Sequence, residues 1–331
     1  MENCDIKVSV ICLTYNHEKY IRQCLDGFVM QKTDFLYEVI VHDDASTDKT
    51  ADIIMEYAEK YPDIIKPILQ KENQHSKRVG IHKEFTLKAA KGKYIALCEG
   101  DDCWVDPCKL QKQADALDSN PTCKLCVATV AFMSESGKIL DKTMPETPFE
   151  TKVISSDEMI KMEMDKHCFQ TSSYFMVADE YRAYVNDPPE FRRVVRVGDI
   201  PMILYFSTLG DIYYINDVMS QYRINSIGSW TDRSKNPQFS LAHAEGMMKM
   251  YEEYNKFTNN RYEELCNKKS AEHRITYLYH REEFKKIMSA ENKQALKKKE
   301  LKFKLRVYCG AIFPRFSRFL LNLYRRVKYH E

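Results

Sequence analysis

Predicted strands and helices alternate along the first ~120 residues, and this alternation constrains the fold more than any other feature. Apolar runs rich in strand-forming residues predict strands at residues 7–14, 37–42, 65–70 and 94–98. Helical spacing or helix-start signals after each run predict helices at about residues 18–30, 46–58, 81–91 and 106–117. Four such repeats predict an α/β fold with a mostly parallel central sheet and helices on both faces.

The second half of the chain has a less regular pattern. A helix is predicted to open at Gly198-Asp199-Ile200-Pro201, and the pattern from Gln238 to about Met288 is helical. We therefore predict two parts, an α/β domain over residues 1–235 and a helical C-terminal region over residues 236–331. Further strand-like runs lie at residues 125–132, 171–178 and 212–215.

Two of the predicted strands end in clusters of acidic residues. Asp43 and Asp44 follow the second strand, and Glu99-Gly100-Asp101-Asp102 follows the fourth. Since the carboxyl ends of neighbouring parallel strands meet in one crevice, these carboxylates should lie close together. A like-charged pair at ~6 Å costs about 3 kcal/mol at an effective dielectric of ~20, so a hard divalent ion, Mn²⁺ or Mg²⁺, is the expected partner. Such ions often complete their shell with phosphate oxygens, which indicates a nucleoside diphosphate; the alternative is a solvated acidic turn.

Six short motifs occur between residues 7 and 230: Val8-Ser9-Val10-Ile11, Thr14-Tyr15-Asn16, Asp43-Asp44-Ala45-Ser46-Thr47-Asp48, Ala90-Lys91-Gly92-Lys93-Tyr94-Ile95, Glu99-Gly100-Asp101-Asp102 and Gly198-Asp199. In this order and spacing they resemble the family 2 glycosyltransferases, which are inverting enzymes that use nucleotide sugars. The resemblance implies the GT-A fold of nucleotide-sugar transferases. It also implies a nucleotide-binding half at about residues 1–125 and an acceptor half at about residues 126–235.

The resemblance further implies a donor site at the strand ends. Thr14, Tyr15 and Asn16 would line the nucleotide pocket, with the Tyr15 ring near the base. Asp44 would bind the base and Asp101 the ribose or the metal region. The ligand of a divalent cation bridging the donor's diphosphate would be Asp102, and a UDP-sugar is the expected donor. From the residues alone, a turn or capping role for Asp44 and a core position for Tyr15 stay open.

Asp199 is implied to be the general base of the transfer. It would take the proton of the acceptor hydroxyl while that oxygen attacks the anomeric carbon from the face opposite the leaving nucleotide. A single displacement of this kind inverts the anomeric centre. The residues alone favour another interpretation, because a carboxylate before a proline-containing first helical turn is an ordinary cap. The two roles can coexist.

The sequence departs from the family pattern near residue 225. Many members carry a Gln-x-x-Arg-Trp element, whereas residues 221–230 have Arg223 and Trp230 without that spacing. This arrangement fits bacterial-type, non-processive members better than polymer synthases with membrane channels. Arg223 and Trp230 are candidate contacts of the diphosphate or the acceptor. For Arg223, a structural ion pair is an equal alternative.

The C-terminal segment is strongly basic. Residues 291–331 hold 12 lysines and arginines against 3 acidic residues. An apolar stripe at helical spacing from Phe316 to Val327 predicts a basic amphipathic helix. Such a helix can lie on an anionic inner leaflet, which would suit a lipid-linked saccharide acceptor. Packing of this helix on its own domain is the alternative.

Other features argue against several classes of protein. The N-terminal apolar run from Val8 to Leu13 is too short for a signal peptide or a spanning helix. We therefore expect a cytoplasmic protein, at most peripheral on the inner membrane face. Nucleic-acid binding is not expected, because the basic charge lies in one tail and no recognised module accompanies it.

The predicted function is transfer of a sugar from a nucleotide sugar to an acceptor hydroxyl, in cell-surface polysaccharide or glycoconjugate synthesis. A sugar nucleotidyltransferase is an alternative. Resemblance to that class would imply a glycine-rich first loop, whereas the loop Thr14-Tyr15-Asn16-His17-Glu18 has no glycine. A glycoside hydrolase would use two carboxylates without two acidic loops or a metal. A degenerate member of the same fold that only binds a nucleotide or a partner is the third alternative, against which Asp102 and Asp199 argue.

Overall fold

The computed structural model describes residues 5–226, 233–234 and 236–313. The chain divides into two compact units. The first comprises residues 1–188 and 199–229, and the second comprises residues 189–198 and 230–331. The domain boundary expected at residue 235 stays a prediction.

The first unit alternates strands and helices as the sequence predicts. Within the described residues its ten strands are β1 (Val8–Thr14), β2 (Tyr37–Asp43), β3 (Ile65–Leu69), β4 (Tyr94–Glu99), β5 (Cys103–Trp104), β6 (Cys123–Met133), β7 (Ile139–Met144), β8 (Lys152–Ile154), β9 (Phe175–Val177) and β10 (Asp211–Arg223). The helices up to β10 are α1 (Ile21–Val29), α2 (Thr50–Lys60), α3 (Leu87–Ala89), α4 (Lys109–Ser119), α5 (Ser156–Asp165), α6 (Ala178–Asn186), α7 (Glu190–Arg193, in the second unit) and α8 (Asp199–Leu209). A π-helical turn at His82–Thr86 leads into α3.

The strands form one mixed sheet. Its order is β3-β2-β1-β4-β9-β6-β10-β5, with β7 paired to β6 and β8 paired to β10. Strands β1 to β4 pair in parallel, and β6 pairs in parallel with β10. The short strand β9 is antiparallel to both of its neighbours, β4 and β6. The parallel half of the sheet is therefore the half that the alternating pattern predicted.

The pairing registers bring the ends of β1, β2 and β4 to one edge of the sheet. Thr14 is aligned with Asp43, and Leu13 with Glu99. One residue further on, the Asp44 N–H donates to the Thr14 carbonyl at 3.0 Å and the Gly100 N–H donates to the Leu13 carbonyl at 2.9 Å. The two acidic loops therefore leave the sheet on either side of β1.

Side chains of the sheet alternate between two apolar cores on its opposite faces. On β1, Val8, Val10 and Cys12 pack into one core with α1, α2 and α4. Ile11 points the other way, into the core formed with α5, α6 and α8. Burying each large apolar side chain contributes about 1.5–3 kcal/mol, so both layers stabilise the sheet. Helices cover both faces, as predicted.

The helix α2 begins later than the sequence predicts. The helix begins at Thr50, whereas Ser46 and Thr47 lie in the preceding loop. The Asp48 carboxylate accepts the Thr50 N–H at 2.9 Å beside the start of the helix. The Ser46 N–H donates to Asp43 at 3.0 Å, so the Asp43 carboxylate stabilises the turn after β2.

Two predicted strands have other bounds in the structure. The run at residues 171–178 begins as a single 3-10 turn, Thr171–Ser173, because the Gln170 side chain accepts the Ser172 N–H at 2.6 Å and bends the chain. Only Phe175–Val177 is extended. The run at residues 212–215 belongs to the much longer β10, which reaches Arg223.

The second unit is helical within the described residues. After α7 it contains α9 (Pro237–Phe257), α10 (Glu263–His280), α11 (Phe284–Ile287), α12 (Lys293–Lys297) and α13 (Leu301–Ile312). The Asn236 side chain caps α9, and proline occupies its first turn. Ile275, Ile287 and Val307 are fully buried in a small core of this unit. None of the helices described is long and apolar enough to cross a bilayer. The stripe predicted at 316–327 lies outside the described residues.

Candidate active site

Two buried polar atoms lie beside Gly100 at the end of β4. A Cβ at this position would lie 2.7 Å from Thr14 Oγ1 and 3.0 Å from His17 Nδ1, so only glycine fits. Within the described part of the chain, neither of those atoms has a hydrogen-bond partner. Buried polar atoms are usually paired, so the two offer hydrogen bonds to a ligand. Burial lowers the pKa of His17, which makes its imidazole neutral at pH 7.

The loop after β1 is tied to the loop after β2. Asn16 adopts a left-handed φ of 56°, its Oδ1 accepts the Thr47 N–H at 2.8 Å, and its own N–H donates to Ser46 Oγ at 2.8 Å. The neighbouring Tyr15 side chain is 44% exposed, so it is not a core aromatic. Asn16 joins the two loops by hydrogen bonds, and the Tyr15 side chain is exposed next to them.

Asp44 holds a third loop in place. The side chain is buried, Oδ1 accepts the Gln74 N–H at 2.7 Å, and Oδ2 accepts the His75 N–H at 3.0 Å. The Asn73 amide donates to the Asp44 carbonyl at 3.1 Å. Both carboxylate oxygens therefore already accept a backbone hydrogen bond, as the turn interpretation expects. Each keeps a second lone pair, and contact with a nucleotide base stays a prediction.

Asp101 and Asp102 are both buried, and other segments of the chain bond to them. Asp102 is 1% exposed; its Oδ1 accepts the Arg223 N–H at 2.9 Å and its Oδ2 accepts Gln170 Nε2 at 3.1 Å. Asp101 Oδ2 accepts the Ser226 hydroxyl at 2.7 Å. The two carboxylates are therefore held in the protein interior by hydrogen bonds and do not form a solvated turn.

The charge of this pair fits a bound cation. Burial raises the pKa of Asp102 well above its ordinary value, and the charges of Asp101 and Glu99 raise it further. A cation would relieve that repulsion, and carboxylate oxygens are the hard ligands that Mn²⁺ and Mg²⁺ prefer. Among the residues described, no three His, Cys, Asp or Glu side chains are grouped closely enough to hold a metal. Asp101 and Asp102 are the carboxylates of this loop that could hold such an ion.

Arg223 has a structural role in this geometry. Its Nε donates to the Asp101 carbonyl at 2.9 Å, one terminal nitrogen donates to the Glu135 carbonyl at 2.9 Å, and the other donates to Gln23 Oε1 at 2.8 Å. The guanidinium also lies over the Tyr20 ring, 4.6 Å from its centroid. The geometry favours the structural alternative, although the partners are carbonyl and amide oxygens instead of a carboxylate. Trp230, the other candidate contact, lies outside the described residues.

Asp199 is the first residue of α8, and both of its carboxylate oxygens are held. Oδ1 accepts the Ile200 N–H at 2.8 Å, and Oδ2 lies 3.3 Å from His167 Nε2. The side chain nevertheless remains 34% exposed. Burial acts to raise the pKa of Asp199, but the hydrogen bond and charge of His167 outweigh it and hold that pKa below its ordinary value. Asp199 is therefore an ionised, reachable carboxylate at neutral pH.

Tyr222 connects the acid pair with Asp199 electrostatically. Burial and then the charges of Asp102, Asp101 and Asp199 raise the pKa of its phenol. One loop also contacts both groups: Gln170 Nε2 donates to Asp102 Oδ2 at 3.1 Å, and His167 Nε2 lies 3.3 Å from Asp199 Oδ2. The acid pair and Asp199 therefore border the same loop of the first unit.

Five residues of this site were not singled out from the sequence. For one of them a local signal exists: Ser155-x-x-Glu158 is a capping pattern, and Ser155 Oγ accepts the Glu158 N–H at 3.3 Å at the start of α5. That signal locates the helix bearing Glu163. The other four residues reach the site only through long-range contacts of the folded chain, which no local sequence pattern indicates. The five are His17, Glu163, His167, Gln170 and Tyr222.

Comparison with known proteins identifies the family of this chain. The model for glycosyl transferase family 2 matches residues 9–181, more than half of the chain. The chain belongs to glycosyl transferase family 2. The matched region runs from β1 through β9 and so carries the strand ends with Asp44, Asp101 and Asp102. The resemblance drawn from the motifs is confirmed.

Two relatives are similar in sequence to this chain. An uncharacterized protein of Mycobacterium tuberculosis H37Rv is 37% identical over 234 residues, which is 69% of this chain and 63% of that protein. The poly(ribitol-phosphate) beta-glucosyltransferase of Bacillus spizizenii is 36% identical over 100 residues, 29% of this chain and 15% of that protein. The match therefore spans less than two thirds of the length of either relative.

Two solved structures are similar in fold. S. aureus TarS 1–349 in complex with UDP-GlcNAc gives a TM-score of 0.52 at 16% identity, over 93% of this chain and 88% of that one. The mannosyltransferase PcManGT of Pyrobaculum calidifontis, in complex with GDP-Man and Mn²⁺, gives 0.51 at 14% identity, over 96% and 84%. At these identities the likeness concerns the fold alone, and it confirms the predicted GT-A fold.

Proposed function

We propose that this glycosyltransferase moves a sugar, with inversion, from a nucleotide-sugar donor to a hydroxyl of a saccharide or lipid-linked saccharide acceptor. The observation that carries the proposal is the presence of two kinds of carboxylate in one site. Asp101 and Asp102 are buried and repel each other, which suits a cation-bound diphosphate. Asp199 is ionised and partly exposed, which suits a general base.

The donor side is built at the ends of β1 and β2. The exposed Tyr15 ring is available to stack on a base, and Asp44 lies buried in the next loop. Thr14 Oγ1 and His17 Nδ1 offer hydrogen bonds that the described chain leaves unused. We propose a UDP-sugar as the donor, and the complex of TarS with UDP-GlcNAc supports this choice.

The transfer itself is a single displacement. The acceptor oxygen forms a bond to the anomeric carbon while the bond from that carbon to the diphosphate oxygen breaks, and the acceptor proton passes to Asp199. Attack from the face opposite the leaving group inverts the anomeric centre. Positioned proton transfer of this kind contributes about 10²–10⁴-fold in rate.

A divalent cation held by Asp102 would supply charge stabilisation to the departing diphosphate when it is bound. The presence of Mn²⁺ in PcManGT supports that proposal. The chain itself orients Asp102 through Gln170 and the Arg223 backbone, and it orients Asp101 through Ser226. Fixed ligand orientation lowers the cost of forming such a site.

The acceptor is proposed to belong to cell-surface polysaccharide or glycoconjugate synthesis, in the cytoplasm and at the inner membrane face. Similarity to the poly(ribitol-phosphate) beta-glucosyltransferase supports the polysaccharide class. An acceptor of this class is often lipid-linked, so the enzyme would work at a membrane surface. The basic segment at residues 291–331 is the proposed contact.

The exposed face of α13 supports the membrane contact. Leu301 and Ile312 are 71% and 63% exposed, and Leu305 and Tyr308 lie between them on the same stripe at helical spacing. Val307 and Gly310, on the opposite face, are buried in the second unit. An apolar stripe that points away from its own core is suited to insertion into the headgroup region of a bilayer.

The charge around this stripe suits an anionic surface. Residues 293–313 hold seven lysines and arginines and a single acidic residue, Glu300. On the helix, Lys304 lies to one side of the stripe, and Lys302 and Arg306 lie to the other. Each basic residue near an anionic leaflet contributes about 1 kcal/mol.

A panel of nucleoside diphosphates and nucleotide sugars, with and without Mn²⁺, tests the proposed function by thermal shift. We expect a UDP-sugar to stabilise the protein in a Mn²⁺-dependent way and the anomeric configuration of the product, read by NMR, to be inverted. Stabilisation without any sugar transfer would favour the degenerate nucleotide-binding protein. Release of pyrophosphate from a nucleoside triphosphate and a sugar phosphate would favour the nucleotidyltransferase.

A further inference from the structure

Glu163, His167 and Asp199 form a continuous chain of charged groups in the first unit. Glu163 and His167 are four residues apart around the C-terminal end of α5, and Glu163 Oε1 lies 2.7 Å from His167 Nδ1. The second ring nitrogen, Nε2, faces Asp199 Oδ2 at 3.3 Å. Both nitrogens therefore face carboxylates, which an imidazolium can satisfy and a neutral imidazole cannot.

We propose that Glu163 and His167 are a positioning pair for the base: buried Glu163 holds His167 as a cation, and His167 fixes and keeps ionised the carboxylate of Asp199. This inference rests on the proposed role of Asp199. It adds two residues that no family motif in the sequence contains.

Glu163 is itself firmly fixed. Its side chain is 1% exposed, and its second oxygen, Oε2, accepts the Cys168 N–H at 3.2 Å. Such a buried carboxylate requires a partner of opposite charge, and His167 is the cation beside it. Burial acts to lower the pKa of His167, but the carboxylates of Glu163 and Asp199 outweigh it and raise that pKa well above its ordinary value.

Two further titratable side chains near the pair, Tyr174 and Cys168, cannot carry a positive charge. Tyr174 is buried, and burial, followed by the charges of Glu163 and Asp199, raises the pKa of its phenol well above the ordinary value. The Cys168 thiol bonds to the Lys166 carbonyl. The imidazolium is therefore the positive charge that offsets the two carboxylates.

The arrangement leaves Asp199 able to act. Its Oδ1 accepts from the backbone of its own helix and its Oδ2 faces the ring, so rotation of the carboxylate would break one contact or the other. A third of the side chain remains exposed for the acceptor. A fixed base loses little entropy on reaching the transition state, and a misplacement of ~1 Å costs up to about 10²-fold in rate.

The test combines kinetics with NMR titration of the full-length enzyme. We expect His167→Gln, which keeps a hydrogen-bond donor without the charge, to lower kcat by roughly 10- to 100-fold with little change in the donor KM. The acidic limb of the rate profile should move to higher pH, since Asp199 loses its cationic neighbour. Glu163→Gln should act in the same direction. Glu158→Gln, also on α5 but exposed and paired with Lys152, is the matched control and should behave like the wild type.

NMR separates failure of this inference from failure of the proposed function, because it needs no turnover. The His167 imidazole of the wild type should stay protonated well above pH 7, and the ¹³C-labelled Asp199 carboxyl should titrate at higher pH in His167→Gln. An imidazole that titrates near pH 6.5, or an Asp199 titration unchanged in the variant, overturns the inference. Unchanged kcat in His167→Gln overturns it as well.

Discussion

Gln170 donates a hydrogen bond to Asp102, and His167, three residues earlier in the same loop, pairs with Asp199. One short segment after α5 thus holds both the carboxylate proposed for the cation and the carboxylate proposed for the proton. Any shift of this segment would move the two together. The proposed donor and acceptor sides of the site are therefore mechanically coupled through the chain, although they lie on different elements.

Asp102→Asn should abolish the Mn²⁺-dependent stabilisation by a nucleotide sugar. Removing the charge removes the proposed ligand, whereas Asn keeps a similar shape. At a ligand concentration about 100 times Kd the wild type should gain ~2.7 kcal/mol, and the variant should gain none, as measured by thermal shift. Asp179→Asn, an exposed aspartate of α6 that pairs with Arg182, is the control and should keep the full shift.

Asp199→Asn should separate binding from chemistry. The amide cannot accept the acceptor proton, so kcat should fall by roughly 10²–10⁴-fold. Donor binding should survive, because Asp199 is not part of the acid pair. Parallel thermal-shift and rate measurements check both statements. A variant that transfers sugar at the wild-type rate would show that the base lies elsewhere.

Gly100→Ala should destabilise the first unit. The new methyl group would lie 2.7 Å from Thr14 Oγ1 and 2.8 Å from Thr14 Cβ, and neither atom can retreat because Thr14 belongs to a central strand. Overpacking of this kind costs about 1–3 kcal/mol, measurable by chemical denaturation. Gly80→Ala is the matched control, since its nearest neighbour would be Lys83 Cβ at 3.7 Å, and it should cost little.

The stability that His167 contributes should fall as pH rises. In the folded protein the pKa of His167 is raised well above 6.5, so below about pH 6.5 the ring is protonated in both folded and unfolded states and its ion pairs contribute fully. Between that value and the folded pKa, only the folded state holds the proton, and stability declines as the proton is lost. The difference in unfolding free energy between wild type and His167→Gln should therefore shrink with rising pH. A difference independent of pH would contradict a protonated His167.

Leu305→Glu combined with Ile312→Glu should weaken binding to anionic vesicles. Both residues are exposed on the apolar stripe of α13, so the charges should leave folding intact while opposing insertion. Vesicles containing phosphatidylglycerol should bind the variant at least about tenfold more weakly, a change of ~1.4 kcal/mol. Leu36→Glu, an exposed leucine of the first unit, is the control. Equal sedimentation of both variants would remove α13 from the membrane contact.

The sequence predicted the parallel half of the sheet because its signals are local. Alternation of strands and helices, and acid residues at the ends of β2 and β4, are visible within short windows. The position of β1 between these two strands was not predicted. The second half was harder to predict, since β9 is three residues long and β10 extends well beyond its apolar core. Those bounds depend on neighbours in the sheet and not on local pattern.

The residues of the candidate site also fall into two groups, those that local sequence patterns indicate and those that they do not. Asp44, Asp101, Asp102 and Asp199 could be named from motifs at strand and helix ends. The groups that hold them could not, because Gln170 meets Asp102, and His167 meets Asp199, only after the whole first unit has folded. Residue type alone gave no reason to choose this glutamine or this histidine.

The bonds to the acid pair from β10 and from the residues just after it have a consequence for how this protein is made. The Arg223 backbone and side chain hold Asp102 and Asp101, and the Ser226 hydroxyl holds Asp101 as well. While the chain leaves the ribosome, β1 to β4 emerge long before these residues. During that time the two carboxylates lack these hydrogen-bond donors. The N-terminal half alone therefore lacks part of the site. We expect donor binding to begin only after the last strand has been synthesised.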